Sequence, residues 1–273
     1  MYEGARRSAT AAKKKKKALP LTAPMIIPLT DDCVRRGQAS DSDAPKQERA
    51  LHSVNFLGAN RPSETMTKLV SGKLVCPVLR WKNVKFQSHG KMSIFYPHTK
   101  AKKNVTIHCV ATGKSLCAVD AMKQLLAVRK RAGKAYTTDP VFLSSNGVDP
   151  LSYAEGVTML KKAVHRVLGH VLGQGVSGCS YRRGAATSGF NMGLSIDAIK
   201  TITRHSSNSV FDCIAAGGAA SQNWQRAVAG LNPKLAWFGH KAKDRALWLH
   251  VSNLDNWDSI ATRPALKWGR SVR

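Results

Sequence analysis

Between Leu79 and Val110 the apolar residues fall in short runs with a period near two; from Ala118 onward they recur every three or four positions. That change of period is the strongest constraint on what this chain can fold into. LVCPVLRWKNVKFQ is apolar and carries several β-branched residues. KMSIFYPHTKAKKNVTIHCV holds two alternating runs separated by a basic turn from Thr99 to Asn104, which predicts a hairpin or small sheet. AVDAMKQLLAVRKRAG then spaces Val119, Met122, Leu125, Leu126 and Arg129 along one helical face with a cationic end, closed by Gly133. After a short buried DPVFL segment, Val157, Leu160, Val164, Val167, Leu168 and Val171 predict a second, long helix on a single face.

GCSYRRGAAT, residues 178–187, opens a third helix running to about Gly193. Ser195 is placed to N-cap IDAIKTIT, with Asp197 in the first turn where a negative charge suits the helix dipole. Ser206 or Ser207 is placed to cap a last helix, SVFDCIAA, that fades at Gly217 and Gly218. The expected fold class is therefore α+β and mainly α, a helical body with a small β-sheet.

Composition divides the chain further. Residues 1–70 contain the run Lys13 to Lys17, a proline-rich patch and a Ser/Asp/Gln-rich stretch without periodicity, and are read as a basic, largely disordered arm or eroded N-terminal region. Residues 71–220 form the expected core. Residues 221–273 form a basic tail with Trp224, Trp237, Trp248 and Trp257. Tryptophans among basic residues serve either base stacking or ordinary packing.

The charge of +27 repels itself unless an anionic partner is near, and polyphosphate is the commonest such partner. DNA and RNA both fit that bias. The six cysteines show no CxxC pair or regular spacing, so neither a zinc site nor a disulfide framework is expected, and free thiols in a reducing compartment are. No apolar run approaches the roughly 20 residues that span a bilayer. The expectation is an intracellular protein, with Lys13 to Lys17 fitting nuclear import. His108, His165, His170 and His240 stand singly and read as surface or satisfied residues.

Within GCSYRRGAAT, an arginine near a helix N-terminus suits a phosphate, because backbone N–H groups already favour anions there. Gly184, Ala185 and Ala186 allow another segment to approach closely. Those ten residues alone fit an exposed arginine pair equally well.

The order of segments narrows the choice. LRWKNVKF, HTKAKKN, SLCAVDAMKQLLAVRKRAG with DPVFL, GCSYRRGAAT and LSIDAIKTITRHSSNSVFDCI stand in sequence. Together they resemble the catalytic domain of tyrosine recombinases, and in particular the integrase-like recombinases of Crypton-type mobile elements. The resemblance covers about half of the chain, and its last two motifs are the specific ones.

This resemblance implies DNA breakage and rejoining through a covalent phosphotyrosine, with cations rather than a metal or cofactor stabilising the transition state. Arg182 falls on the family's second arginine, a phosphate clamp. Lys100 falls on its β-turn lysine, the general acid, and His205 on a later hydrogen-bond donor. Arg183, Arg204, Lys102, Lys103 and Lys200 are the further basic residues expected on DNA.

Three positions depart from the pattern. Cys179 stands where the family has a histidine and is read as a packing residue. The first arginine is expected near Gly72 or Lys73, where no arginine stands, and lysine cannot form the bidentate fork. Cys213, eight residues after His205, occupies the tyrosine position, and the last tyrosine of the sequence is Tyr181.

The expectation is a duplex-DNA-binding protein, derived from a mobile element and a candidate homo-oligomer on DNA, with its cleavage step lost. One alternative is an active enzyme using Cys213 or a tyrosine from another subunit. The other is a basic RNA- or ribosome-associated protein.

Overall fold

The computed structural model describes residues 18–40, 42–67, 69–70, 73–74, 78–97, 104–205 and 209–214. Lys100, Lys102, Lys103, the Lys13 to Lys17 run, His240 and the C-terminal tryptophans lie outside them.

Two helices, α1 (Ala23–Gln38) and α2 (Ala44–Leu57), pack on one another and open the described chain. They correct the expectation of a disordered arm through residue 70. Leu21, Met25, Ile26, Leu29, Leu51 and Val54 are wholly or almost wholly buried, in the same core as the later helices. The prolines that read as helix breakers sit largely where a helix tolerates them: Pro24 and Pro45 occupy first turns, whose N–H groups have no partner in any case. The charges that read as a solvated arm are turned inward and paired, as Asp32 is with Arg36.

A four-residue helix, α3 (Pro62–Thr65), leads through the short pair β1 (Leu69–Val70) and β2 (Lys73–Leu74) into a single turn of 3-10 helix at Trp81–Asn83. The sheet follows, with antiparallel order β3 (Val84–Phe86), β4 (Lys91–Tyr96), β5 (Val105–Val110). Its register pairs Met92 with Cys109 and Ile94 with Ile107, so the apolar alternation of both strands lands on one buried face.

α4 (Ala118–Arg131) buries Val119, Met122 and Leu125 as its spacing predicts. Its cationic end differs from expectation. Arg129 is buried and donates to Asp43 and to Gln47 Oε1, so it ties α4 to the start of α2 rather than facing water.

α5 (Tyr153–Leu168) starts on a Ser152/Glu155 capping box, and its long expected extension breaks at Gly169, where φ is +96°. α6 (His170–Gly175) therefore takes a new direction, and Val171, expected on the buried face, is 80% exposed. α7 (Ser180–Asn191), α8 (Ile196–Thr203) and α9 (Val210–Cys213) close the described core. Ser195 caps α8 as expected, its hydroxyl accepting from the Ala198 N–H.

The small residues of GCSYRRGAAT have a structural role. The extended segment before α1 lies against α7, where the Leu21 N–H donates to Ser180 O and the Ala23 N–H to Ser188 Oγ. A Cβ on Gly184 would stand 1.7 Å from the Leu21 carbonyl oxygen. Gly184→Ala is accordingly expected to destabilise the fold by about 1–3 kcal/mol or more, since backbone rather than a flexible side chain must retreat. Urea denaturation measures it, and an unchanged midpoint would contradict this packing.

Candidate functional site

Three arginines converge on the loop that joins α2 to α3. Arg61 N-caps α3: its N–H donates to Glu64 Oε2 at 2.9 Å, and its Nη1 lies 3.5 Å from Glu64 Oε1. Arg182, on the buried face of α7, donates from Nη1 to the Ala59 carbonyl at 3.0 Å. Arg204, one position beyond α8, donates to the Gly58 carbonyl at 2.8 Å and to Glu64 Oε2 at 2.7 Å, with a further contact to Asn60 Oδ1 at 3.2 Å. Glu64 is the one carboxylate bonded to this trio among the described residues.

Arg204 occupies the left-handed region, with φ 56° and ψ 43°. A non-glycine residue there costs of order 1–3 kcal/mol. Its side chain offsets that cost by gripping residues 140 and 146 positions away in sequence. Its guanidinium faces the protein and holds the 58–64 loop in place.

His205 follows directly. Thr203 Oγ1 donates its only proton to the Ile199 carbonyl at 2.6 Å, so toward His205 it acts as an acceptor, and His205 Nδ1 must carry the proton of their 2.6 Å hydrogen bond. In the neutral ring Nε2 is then a lone pair, and it faces Cys213 Sγ at 3.6 Å.

Burial, then the charges of Arg182, Arg61 and Arg204, push His205 down to about 4. Burial raises the Cys213 thiol above its ordinary value, against the charges of Arg182 and Arg183 and hydrogen bonding from the Arg182 guanidinium. Near neutral pH the pair is thus a neutral imidazole and an undissociated thiol. A thiolate is the nucleophilic form, so this arrangement holds Cys213 in the unreactive one.

Arg182 carries the sharpest signal. It is 6% exposed, yet its buried Nη2 has no hydrogen-bond partner in the structure. Burial and the charges of Arg61 and Arg204 draw its pKa down to about 10, so it stays charged at neutral pH. A buried, charged N–H without an acceptor is costly. The chemistry that answers it is an anion, and a phosphate oxygen suits a guanidinium best.

The structure thus brings Arg182, His205 and Cys213 together. Arg183 is half-buried beside them and near enough for its charge to act on Cys213. Lys200 sits on α8, 3.9 Å from Asp197. Cys179, read as a packing residue, is exposed at the N-terminus of α7.

The residue missed in the sequence is Arg61. The first arginine was sought near Lys73, which instead forms strand β2. The stretch Arg61-Pro-Ser-Glu64 carries its own signal, proline in the first turn and glutamate at the third position of a helix, but it fell inside the supposed arm.

No protein-family model matches the sequence, and no match is found among curated proteins. Solved structures do match. The XerH site-specific recombinase bound to difH substrate in a pre-cleavage complex superposes with a TM-score of 0.54 at 13% identity, over 80% of this chain and 54% of that one. XerH in a post-cleavage complex with palindromic difH gives 0.52 at 14% identity, over 78% and 53%. XerA recombinase gives 0.51 at 16% identity, over 77% and 65%. The fold is similar to that of these recombinases. The chain spans about half to two thirds of the length of these recombinases. Among the described residues, no helix is long and apolar enough to cross a membrane.

Proposed function

We propose that this chain binds duplex DNA by seating a backbone phosphate between Arg61, Arg182 and the corner formed by Arg204 and His205, and that it does not itself cut the strand. The observation that carries the proposal is the buried, unpartnered Nη2 of Arg182 inside a cluster of like charge. Arg61 takes the place that the recombinase resemblance reserves for a first arginine, and Arg182 that of the second. The net charge of +27 supports a polyanion partner, and the XerH structures similar in fold were captured on a difH substrate. The absence of cleavage rests on Cys213, which stands at the tyrosine position with its thiol held protonated. We assign the chain to mobile-element DNA integration on the order of its motifs, acting as an oligomer on DNA, and place it in the nucleus on the Lys13 to Lys17 run.

Duplex affinity measured against salt tests the binding. Each neutralised phosphate should contribute close to one unit of log–log slope, and a flat response would refute it. A nicked suicide duplex tests the chemistry. No covalent adduct is expected; an adduct lost in Cys213→Ser would instead establish an active thiol. Preference for structured RNA over duplex DNA would favour an RNA-bound role.

Binding is also expected to take up a proton. His205 Nε2 is an acceptor in the free site and must gain a proton before it can donate to a phosphate. The bound anion offsets the arginines that hold its pKa down, so the pKa is higher in the complex than in the free protein. Affinity should therefore rise as pH falls toward about 4, where the free ring itself takes up the proton, and His205→Gln should flatten that dependence.

A further inference from the structure

A second buried cluster joins α1, α2, α5 and α7. Arg36 and Arg166 each bridge the same two acids. Both donate from Nε to Asp32 Oδ2 at 2.8 Å, and from Nη2 to opposite oxygens of Glu48, also at 2.8 Å. The exposed Arg35 also donates from Nη2 to Asp32 Oδ1 at 2.8 Å, so two carboxylates meet three guanidiniums, and these ion pairs are complete without the neighbouring His52 and Cys33.

His52 is 0% exposed. Its Nδ1 hydrogen-bonds the Tyr181 hydroxyl at 2.6 Å, while its buried Nε2 has no hydrogen-bond partner and lies 3.5 Å from Glu48 Oε1. Cys33 is also buried, and its sulfur meets Arg36 Nη2 at 3.5 Å. One ligand atom from each of Cys33, Glu48 and His52 lies within 4.8 Å of the others.

We propose that Cys33, Glu48 and His52 form a buried site for a thiophilic divalent cation of the zinc class. Sulfur, imidazole nitrogen and carboxylate oxygen are the zinc donor set, whereas magnesium and calcium take oxygen alone. Tetrahedral zinc holds its ligand atoms about 3.5 Å apart, which is already the separation of His52 Nε2 and Glu48 Oε1. Glu48 and His52 stand one helical turn apart on α2, and Cys33 comes from the helix packed against it. That origin in two helices is why the cysteine spacing showed no site.

Tyr181 has the part of the outer partner that fixes a metal-bound histidine. In the binding tautomer Nδ1–H donates to its hydroxyl, and Nε2 keeps its lone pair for the metal. The Arg35, Arg36 and Arg166 charges oppose a cation; Asp32 and Glu48 offset two of them, and Arg35 is largely exposed to water, which screens its charge. The Cys33 thiol loses its proton as the sulfur–metal bond forms, so affinity rises with pH. The site clamps α1 to α2, from whose end the 58–64 loop departs.

The purified full chain, titrated with cobalt in zinc's stead, tests this by absorption. A thiolate-to-cobalt charge-transfer band should saturate at one cobalt per chain and vanish on adding zinc. It should be lost in Cys33→Ser and in His52→Gln and kept in Cys179→Ser. Zinc should also raise the unfolding midpoint, more so at higher pH. No band in the wild-type chain, or one that survives Cys33→Ser, overturns the site. Should the buried variants fail to fold, loss of the band in Cys179→Ser, whose cysteine is exposed, places the cobalt elsewhere and overturns it equally.

Discussion

Arg182→Ala is expected to weaken duplex DNA binding by about ten- to a hundredfold while leaving the fold close to its original stability. A hydrogen bond to a charged group contributes about 1.5–3 kcal/mol, and each 1.4 kcal/mol is about a factor of ten in affinity. The fold is spared because the substitution removes repulsion as well as a bond. Arg182 loses its 3.0 Å contact with the Ala59 carbonyl, but it no longer opposes Arg61 and Arg204. Arg182→Lys should recover little of the loss, since a point charge cannot reproduce a planar fork. The salt slope should fall by about one charge in Arg182→Ala. Filter binding or fluorescence anisotropy at several salt concentrations reads both quantities. Unchanged affinity in a folded variant would remove the site from consideration.

Glu64→Ala is expected to act on the fold instead, by about 3–5 kcal/mol, a large part of the total stability of an ordinary domain. Glu64 is buried and is bonded to both Arg61 and Arg204. Without it three guanidiniums share one loop with no bonded carboxylate. Glu64→Gln keeps most of the hydrogen-bonding shape and removes the charge. It should unfold at lower urea than the wild type, yet bind DNA more tightly for as long as it stays folded. Opposite signs for stability and affinity would mark Glu64 as the group that holds the arginine cluster together. A variant that lost both in proportion would show only general damage.

Much of the architecture was legible along the chain because its signals are local. The alternation of Met92, Ile94 and Tyr96 is the inward face of β4. The Ser195 cap and the apolar face of α4 lie where period and capping chemistry put them. The N-terminal helices were misread for a physical reason. Their prolines and charges resemble linker composition, and only partners elsewhere in the fold reveal them as first-turn prolines and buried ion pairs. Val171 shows the converse error: its spacing continued a helix that the backbone of Gly169 ends.

The sequence by itself determined the class of fold, the starts of α4, α7 and α8, and the placement of Arg182, His205 and Cys213 along one run of helices. Those properties depend on neighbours within a few residues. Tertiary structure alone decided which cations share a site and in what state. Arg61 meets an arginine more than 120 positions away. Arg204 turns inward because Glu64 and the Gly58 and Ala59 carbonyls await it, and His205 is stripped of its charge by burial and then by Arg182, Arg61 and Arg204. Coulomb energy depends on distance in space, and nothing in the order of residues states that distance until the chain has folded.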